Sequence, residues 1–305
     1  MTDNMKRTFG IISCIVALCT FSGCINNTCE SDSVAYEVCF SPAVMPTSRY
    51  EVGVYPSDRL FGVWAFALPN NMTWGADASS AQSLIDGEVV AYDGAWWRTS
   101  TTYMWPEQSR LSIFAWSPFD LAASFDKTKG ICFNGFDLLN SDVKPMFSAS
   151  IINKSCPKYA GIVAVPFQHA LAQVEFRLNT TYDLKAEVRV KSVNIGGIFT
   201  GGNFHSLPAP EWETMGETTN VEFCDGECVL GHSSIVVGEG RWMLPQRVHQ
   251  SVEVVYDLYN ENGSLVLANQ VVTSKPMCAK WEVGRSYSYC LTLKHGEVVF
   301  NTEKL

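Results

Sequence analysis

Val165-Pro166-Phe167-Gln168-His169-Ala170-Leu171-Ala172-Gln173-Val174-Glu175-Phe176-Arg177-Leu178 lies just past the middle of the 305-residue chain, and its reading decides the fold class. In its second half Val174, Phe176 and Leu178 alternate with Glu175 and Arg177. That period of two predicts a strand with one face buried and the other wet. The first half, carrying Pro166 and His169, reads as a turn-like entry. His169 reads as a hydrogen-bonded residue at the strand entrance. A catalytic or ligand role is the alternative, and the neighbouring sequence offers it no partner.

The same signal recurs in both directions. Val34 to Phe40 reads as a first strand, followed by an irregular segment, Ser41 to Tyr50, that contains Pro42 and Pro46. Leu60 to Ala67, Leu111 to Pro118, Ala186 to Val193, Val252 to Tyr259 and Leu265 to Val272 are further strands. Asp86-Gly87, Asp93-Gly94 and Asn262-Gly263 are hairpin signals. The glycines of Asn194 to Gly202 lack the order of a phosphate loop and read as a strand end and hairpin. No amphipathic helix stands out, so the class is all-β.

Length allows one large or two ordinary domains. Hydrophobic residues make up 47% and charged residues 17%, which supplies a sizeable core and excludes general disorder. A net charge of −9 excludes a nucleic-acid surface, which needs a basic excess.

At the N-terminus Lys6 and Arg7 precede the apolar run Ile11 to Phe21. The run falls short of the roughly 20 residues of a membrane span and fits a secretory signal peptide. It ends in Phe21-Ser22-Gly23-Cys24, which resembles the lipobox of bacterial lipoproteins, with Phe21 where leucine is usual. Cys24 is the expected lipidation site; an ordinary cut near Gly23 is the alternative. Beyond it Cys29, Cys39, Cys132, Cys156, Cys224, Cys228, Cys278 and Cys290 permit disulfides, with Cys224–Cys228 and Cys278–Cys290 as local pairings. Cys224, Cys228 and His232 have zinc-ligand types but no clear fourth ligand, so no metal is expected.

Five or six short motifs, in order, resemble one family. His169-Ala170-Leu171-Ala172-Gln173-Val174-Glu175-Phe176 is similar to the H-A-L-A-x-V-x-F opening of the second domain of bacterial fimbrillins, the type V pilin-like, lipobox-bearing surface lipoproteins. Tyr103-Met104-Trp105-Pro106 with Leu111 to Pro118 resembles that family's Y-x-W-P turn and following strand. Met243-Leu244-Pro245-Gln246 is similar to M-L-x-P-Q without its spacer. Trp281 to Leu293 resembles W-x-x-G-x-x-Y-x-Y-x-L-x-L. The resemblance implies two β-sandwich domains of transthyretin-like topology, residues 34–160 and 161–305, after a signal peptide (1–23) and a polar tether (24–33).

It also implies a function. Such chains are structural, tip or anchor subunits of pili in cell adhesion, anchored in the outer membrane through an acylated cysteine and displayed at the surface. A trypsin-like cut after an arginine sheds the first strand, and a strand of another subunit takes its place. Arg49 is the matching processing site, with Arg59 second. Partners are then other pilin subunits, outer-membrane lipid, and ligands on host or bacterial surfaces, with no nucleic acid and no cofactor. No nucleophile elbow, H-E-x-x-H, P-loop or dinucleotide fingerprint is present, so no catalytic residue is assigned and a non-enzyme is expected. The competing reading is a monomeric surface lipoprotein that binds glycan through Trp74, Trp96 or Trp97.

Overall fold

Alternation becomes strand after strand in the computed structural model, which describes residues 36–47, 53–156, 161–182, 185–224 and 226–301. The strands are β1 (Cys39–Val44), β2 (Gly53–Val54), β3 (Phe61–Pro69), β4 (Gln82–Tyr92), β5 (Trp97–Thr99), β6 (Ser109–Ser117) and β7 (Ser124–Asp126). They continue with β8 (Gly130–Asp137), β9 (Met146–Ser155), β10 (Ile162–His169), β11 (Ala172–Thr180), β12 (Glu187–His205), β13 (Glu211–Glu222) and β14 (Cys228–Leu230). The last are β15 (Ile235–Met243), β16 (Arg247–Gln250), β17 (Val252–Tyr259), β18 (Leu265–Thr273), β19 (Met277–Lys280), β20 (Ser286–Lys294) and β21 (Glu297–Phe300). A short helix, α1 (Trp74–Asp77), and a 3-10 turn follow β3. The protein is all-β, as its sequence predicts.

An eight-stranded sheet has the order β10-β9-β6-β3-β4-β5-β1-β2, and β10 also pairs with β1, so the sheet closes on itself. A seven-stranded sheet runs β18-β17-β12-β8-β7, with β13 and β14 added to β12. A four-stranded sheet runs β15-β11-β20-β21, and β16 pairs with β19 alone.

The central stretch passes from one sheet to another. Its first half is strand β10 of the closed sheet, not a turn; its second half is β11 of the four-stranded sheet. Pro166 is tolerated because antiparallel pairing with β9 begins only at Gln168. Ala170 and Leu171, both fully buried, make the crossing. Their carbonyls accept from Trp212 Nε1 at 2.7 Å and Gly284 N at 3.0 Å, and Ala170 N donates to Pro145 O at 2.8 Å. In β11 Val174, Phe176 and Leu178 are fully buried while Glu175 and Arg177 are half-buried. Burying each such apolar side chain contributes about 1.5–3 kcal/mol.

Three apolar clusters form the core. One draws on residues from Val38 to Phe167, one on residues from Ala172 to Val298, and the third mixes both halves around Trp64, Trp74, Trp116, Phe204 and Trp212. Trp64 and Trp116 stack with ring centres 4.0 Å apart. Gly62 makes room for that stack, since a Cβ there would lie 2.1 Å from the Trp116 ring.

The Asp93-Gly94 and Asn262-Gly263 hairpins join β4 to β5 and β17 to β18. Asp86-Gly87 instead lies inside β4, where Gly87 (φ +68°) accompanies a shift in the β3–β4 register. The glycine-marked segment at 194–202 likewise lies within the 19-residue strand β12. It is bulged rather than turned, and Gln246 grips the bulge by accepting from Phe199 N at 3.1 Å and donating to Phe199 O at 2.9 Å.

Candidate functional site

The first strand is the closing member of the eight-stranded sheet. Apolar residues at Val38 and Phe40 would be a liability in a free segment, and here both are buried. The strand is set further along than its alternation predicts: Glu37 forms an isolated bridge with Met104, and β1 runs from Cys39 to Val44. It crosses Pro42 because the β10 ladder uses the other parity. Cys39 N donates to Gly161 O at 3.1 Å and Met45 N to Phe167 O at 2.7 Å, so residues 39 and 45 face β10 while position 42 faces away.

Pairing is asymmetric. Along β10 it is parallel through six residue pairs, Cys39–Ile162 to Val44–Phe167, whereas β5 meets β1 only at Phe40–Trp97. Ahead of the strand, Val38 N donates to Tyr103 O and Trp105 N to Tyr36 O, each at 2.8 Å. Arg98 holds Glu37 at 3.6 Å and Asp93 at 2.8 Å. Gly161 permits this approach, because a Cβ there would stand 1.7 Å from Glu37 O.

Beneath the strand lies an aromatic floor. Phe40 meets Phe61 edge-on with ring centres 6.0 Å apart. Tyr55 stacks on Phe167 at 5.1 Å and contacts Phe61 and Trp97 edge-on. The Tyr55 hydroxyl lies 2.7 Å from Ser117 Oγ, and burial pushes its pKa up to about 12. Burial also pushes the Cys39 thiol up. Taking β1 away would uncover this floor and leave β10 and β5 as open sheet edges.

After Val44 the chain returns antiparallel as β2, with Val44 opposite Gly53. Arg49 falls in that connection, among residues 48–52 outside the described residues; Cys24, with the whole of 1–35, lies outside them too. Arg59 is exposed, its N donating to Pro56 O at 3.2 Å. Met45 and Pro46 border a cleft of about 1010 Å³ that also includes Gln168, Arg247, Lys280 and Arg285.

Other candidates take other roles. His169 ends β10 and packs against the Trp242 ring, tilted by 35° with centres 4.3 Å apart, and its buried Nδ1 finds no hydrogen-bond partner among the described residues. Burial, with the charges of Lys144 and Arg59, pushes its pKa down to about 4. The hydrogen bond expected of His169 is thus not made at that nitrogen. Trp74 is core and Trp97 is half-buried on the floor, leaving Trp96 exposed. The Cys224 and Cys228 sulfurs are 3.9 Å apart, and His232 Nε2 is 2.9 Å from Tyr182 O. Cys278 in β19 lies beside His249 of β16 and is not bonded to Cys290 in β20. Among the described residues no group of three or more His, Cys, Asp or Glu is placed to hold a metal ion. Sequence reasoning missed β10 as the partner of β1; the alternation of Val163, Val165 and Phe167 was the available signal.

Comparison with known proteins fits this architecture. A fimbrial protein from Bacteroides vulgatus superimposes with a TM-score of 0.62 at 13% identity, covering 88% of this chain and 99% of that one. A candidate cell adhesion protein from Bacteroides ovatus gives 0.52 at 14% identity, covering 88% and 97%. No curated protein matches in sequence. A family model described as fimbrillin-like matches residues 58–303, most of the chain. The chain belongs to the fimbrillin-like family.

Proposed function

We propose that the protein is a pilus-related surface subunit that works in cell adhesion and assembles by strand exchange. The single observation that carries this is the placement of β1. It closes the eight-stranded sheet through a parallel ladder to β10, buries Val38 and Phe40 over an aromatic floor, and leads into the connection that holds Arg49. Cleavage after Arg49 releases the chain that precedes Tyr50, β1 included. An extended strand from another subunit then takes the same place, its main chain bonding to β10 and its apolar side chains filling the sites of Val38 and Phe40. Of the two arginines Arg49 fits better. A cut after Arg59 would also remove Tyr55, whose ring fills the space between Phe61, Trp97 and Phe167.

The same proposal includes export by the N-terminal signal, acylation of Cys24 and outer-membrane anchoring before processing. It includes a division near residue 160 into two β-sandwich domains of transthyretin-like topology. Two apolar clusters, one drawn from residues 38–167 and one from 172–298, support that division, while pairing of β8 with β12 laces the halves together. Binding and display need no catalytic group.

Terminal sequencing and intact mass of the protein on its native cells test the reading. A start at Tyr50 is expected for an assembled subunit. Assemblies whose subunits begin at an acylated Cys24 and retain β1 would overturn strand exchange and leave an anchor role.

A further inference from the structure

We propose that Cys278 and His249 form a surface thiol site that exchanges with small anionic disulfides. Strands β16 and β19 pair antiparallel, with Arg247 opposite Lys280 and His249 opposite Cys278. Val248 and Met277 point into the core, so the opposite face of the ribbon presents these four side chains together, all exposed. His249 Nδ1 lies 3.0 Å from Cys278 Sγ, within reach of the thiol proton. The thiolate is the nucleophile in disulfide chemistry, and an adjacent base generates it.

The second observation is the charge beside the pair. Like charges directly opposite on a sheet are unfavourable. Lys280 is offset by Glu282 at 3.1 Å, but Arg247 makes no ion pair among the described residues. Arg247, Val248, His249, Cys278, Ala279 and Lys280 line a depression of about 380 Å³. A carboxylate placed there would be attracted by the unpaired Arg247 guanidinium, with Lys280 beside it, while its disulfide lies against Cys278.

The step balances without further reactants. His249 takes the proton from Cys278, and Sγ attacks one sulfur of the small disulfide. The new bond joins Cys278 to that sulfur as the old sulfur–sulfur bond breaks. The other sulfur leaves as a thiolate and takes the proton. Cys278 is oxidised to a mixed disulfide and the leaving half is reduced to a thiol. This chemistry is independent of strand exchange.

The test treats the folded full chain with a nitrobenzoate disulfide, anionic, and with a neutral pyridyl disulfide, and maps labelled cysteines by mass spectrometry. With the anionic reagent Cys278 should react about tenfold faster than Cys156, the other exposed cysteine among the described residues. His249→Gln should slow Cys278 by about tenfold or more with both reagents. Arg247→Gln with Lys280→Gln should slow only the anionic reagent, and added salt should mimic that loss. Unchanged melting temperatures confirm the fold of each variant, and the comparison with Cys156 needs no variant. Equal rates at Cys278 and Cys156, or no effect of His249→Gln, overturn the proposal. A charge effect equal for both reagents overturns the anion preference.

Discussion

Phe40→Ala is the most informative perturbation of the first strand. The side chain is 1% exposed and sits edge-on to Phe61 in the core formed with Tyr55, Val163, Val165 and Phe167. Truncating a buried phenylalanine costs about 3–5 kcal/mol, through lost transfer energy and the cavity left behind. That is a large part of the roughly 5–15 kcal/mol that holds a domain folded. In urea denaturation the full-length variant should lose that amount, while Ser41→Ala, at an exposed position of the same strand, stays within about 0.5 kcal/mol. The same energy should appear as binding. A chain starting at Tyr50, given a peptide of residues 36–47, should bind the Phe40→Ala peptide two to three and a half orders of magnitude more weakly than the native one, at about 1.4 kcal/mol per tenfold. If the two peptides bind alike, or the chain starting at Tyr50 is as stable as the full chain, Phe40 does not seal the sheet and the strand-exchange argument fails.

Gly161→Ala should act on the same contact from the other side, because its Cβ would meet Glu37 O at 1.7 Å. Peptide affinity should fall about tenfold or more while the chain starting at Tyr50 keeps its stability; equal destabilisation of both would show that Gly161 serves another contact. His169 sets a pH dependence. Its folded pKa, about 4, lies below the 6.5 of a free histidine, so on acidification the unfolded state takes the proton first. Stability tied to this group is complete above pH 6.5 and is lost as pH falls towards 4, by on the order of 2–3 kcal/mol. His169→Phe should keep the ring contact with Trp242 and flatten the stability curve over that window, and an unaltered curve would refute the assignment. Asp93, Asp126 and Asp257, whose folded pKa values are lowered, lose their contributions only below their ordinary value near 3.8. Asp257 also guards an edge: it accepts from Asn269 N at 2.6 Å, holding a positive-φ kink in β18, whose Leu265, Val266, Leu267 and Val271 are exposed. Asp257→Ala should release the kink and raise light scattering at high protein concentration, and a variant that stays monomeric would show the edge is protected otherwise.

Much of this was legible in the chain. The alternation at Val174, Phe176 and Leu178 predicted a half-buried strand, and β11 buries those three residues. Asp93-Gly94 and Asn262-Gly263 predicted hairpins that the fold forms, and the order of the short motifs pointed to the family that the comparison shows. These are local signals, set by side-chain period and by turn conformations that only a few residues adopt. Tertiary structure decided the rest. It made Pro166 and His169 part of a strand, turned the glycines of β12 into bulges, and sent Trp74 into the core. It paired β1 with β10 more than a hundred residues away and set Cys278 beside His249 instead of Cys290. Alternation says which face of a strand is buried, but the backbone groups that join strands are the same at every residue. The choice of neighbour is therefore made by the packing of the whole chain.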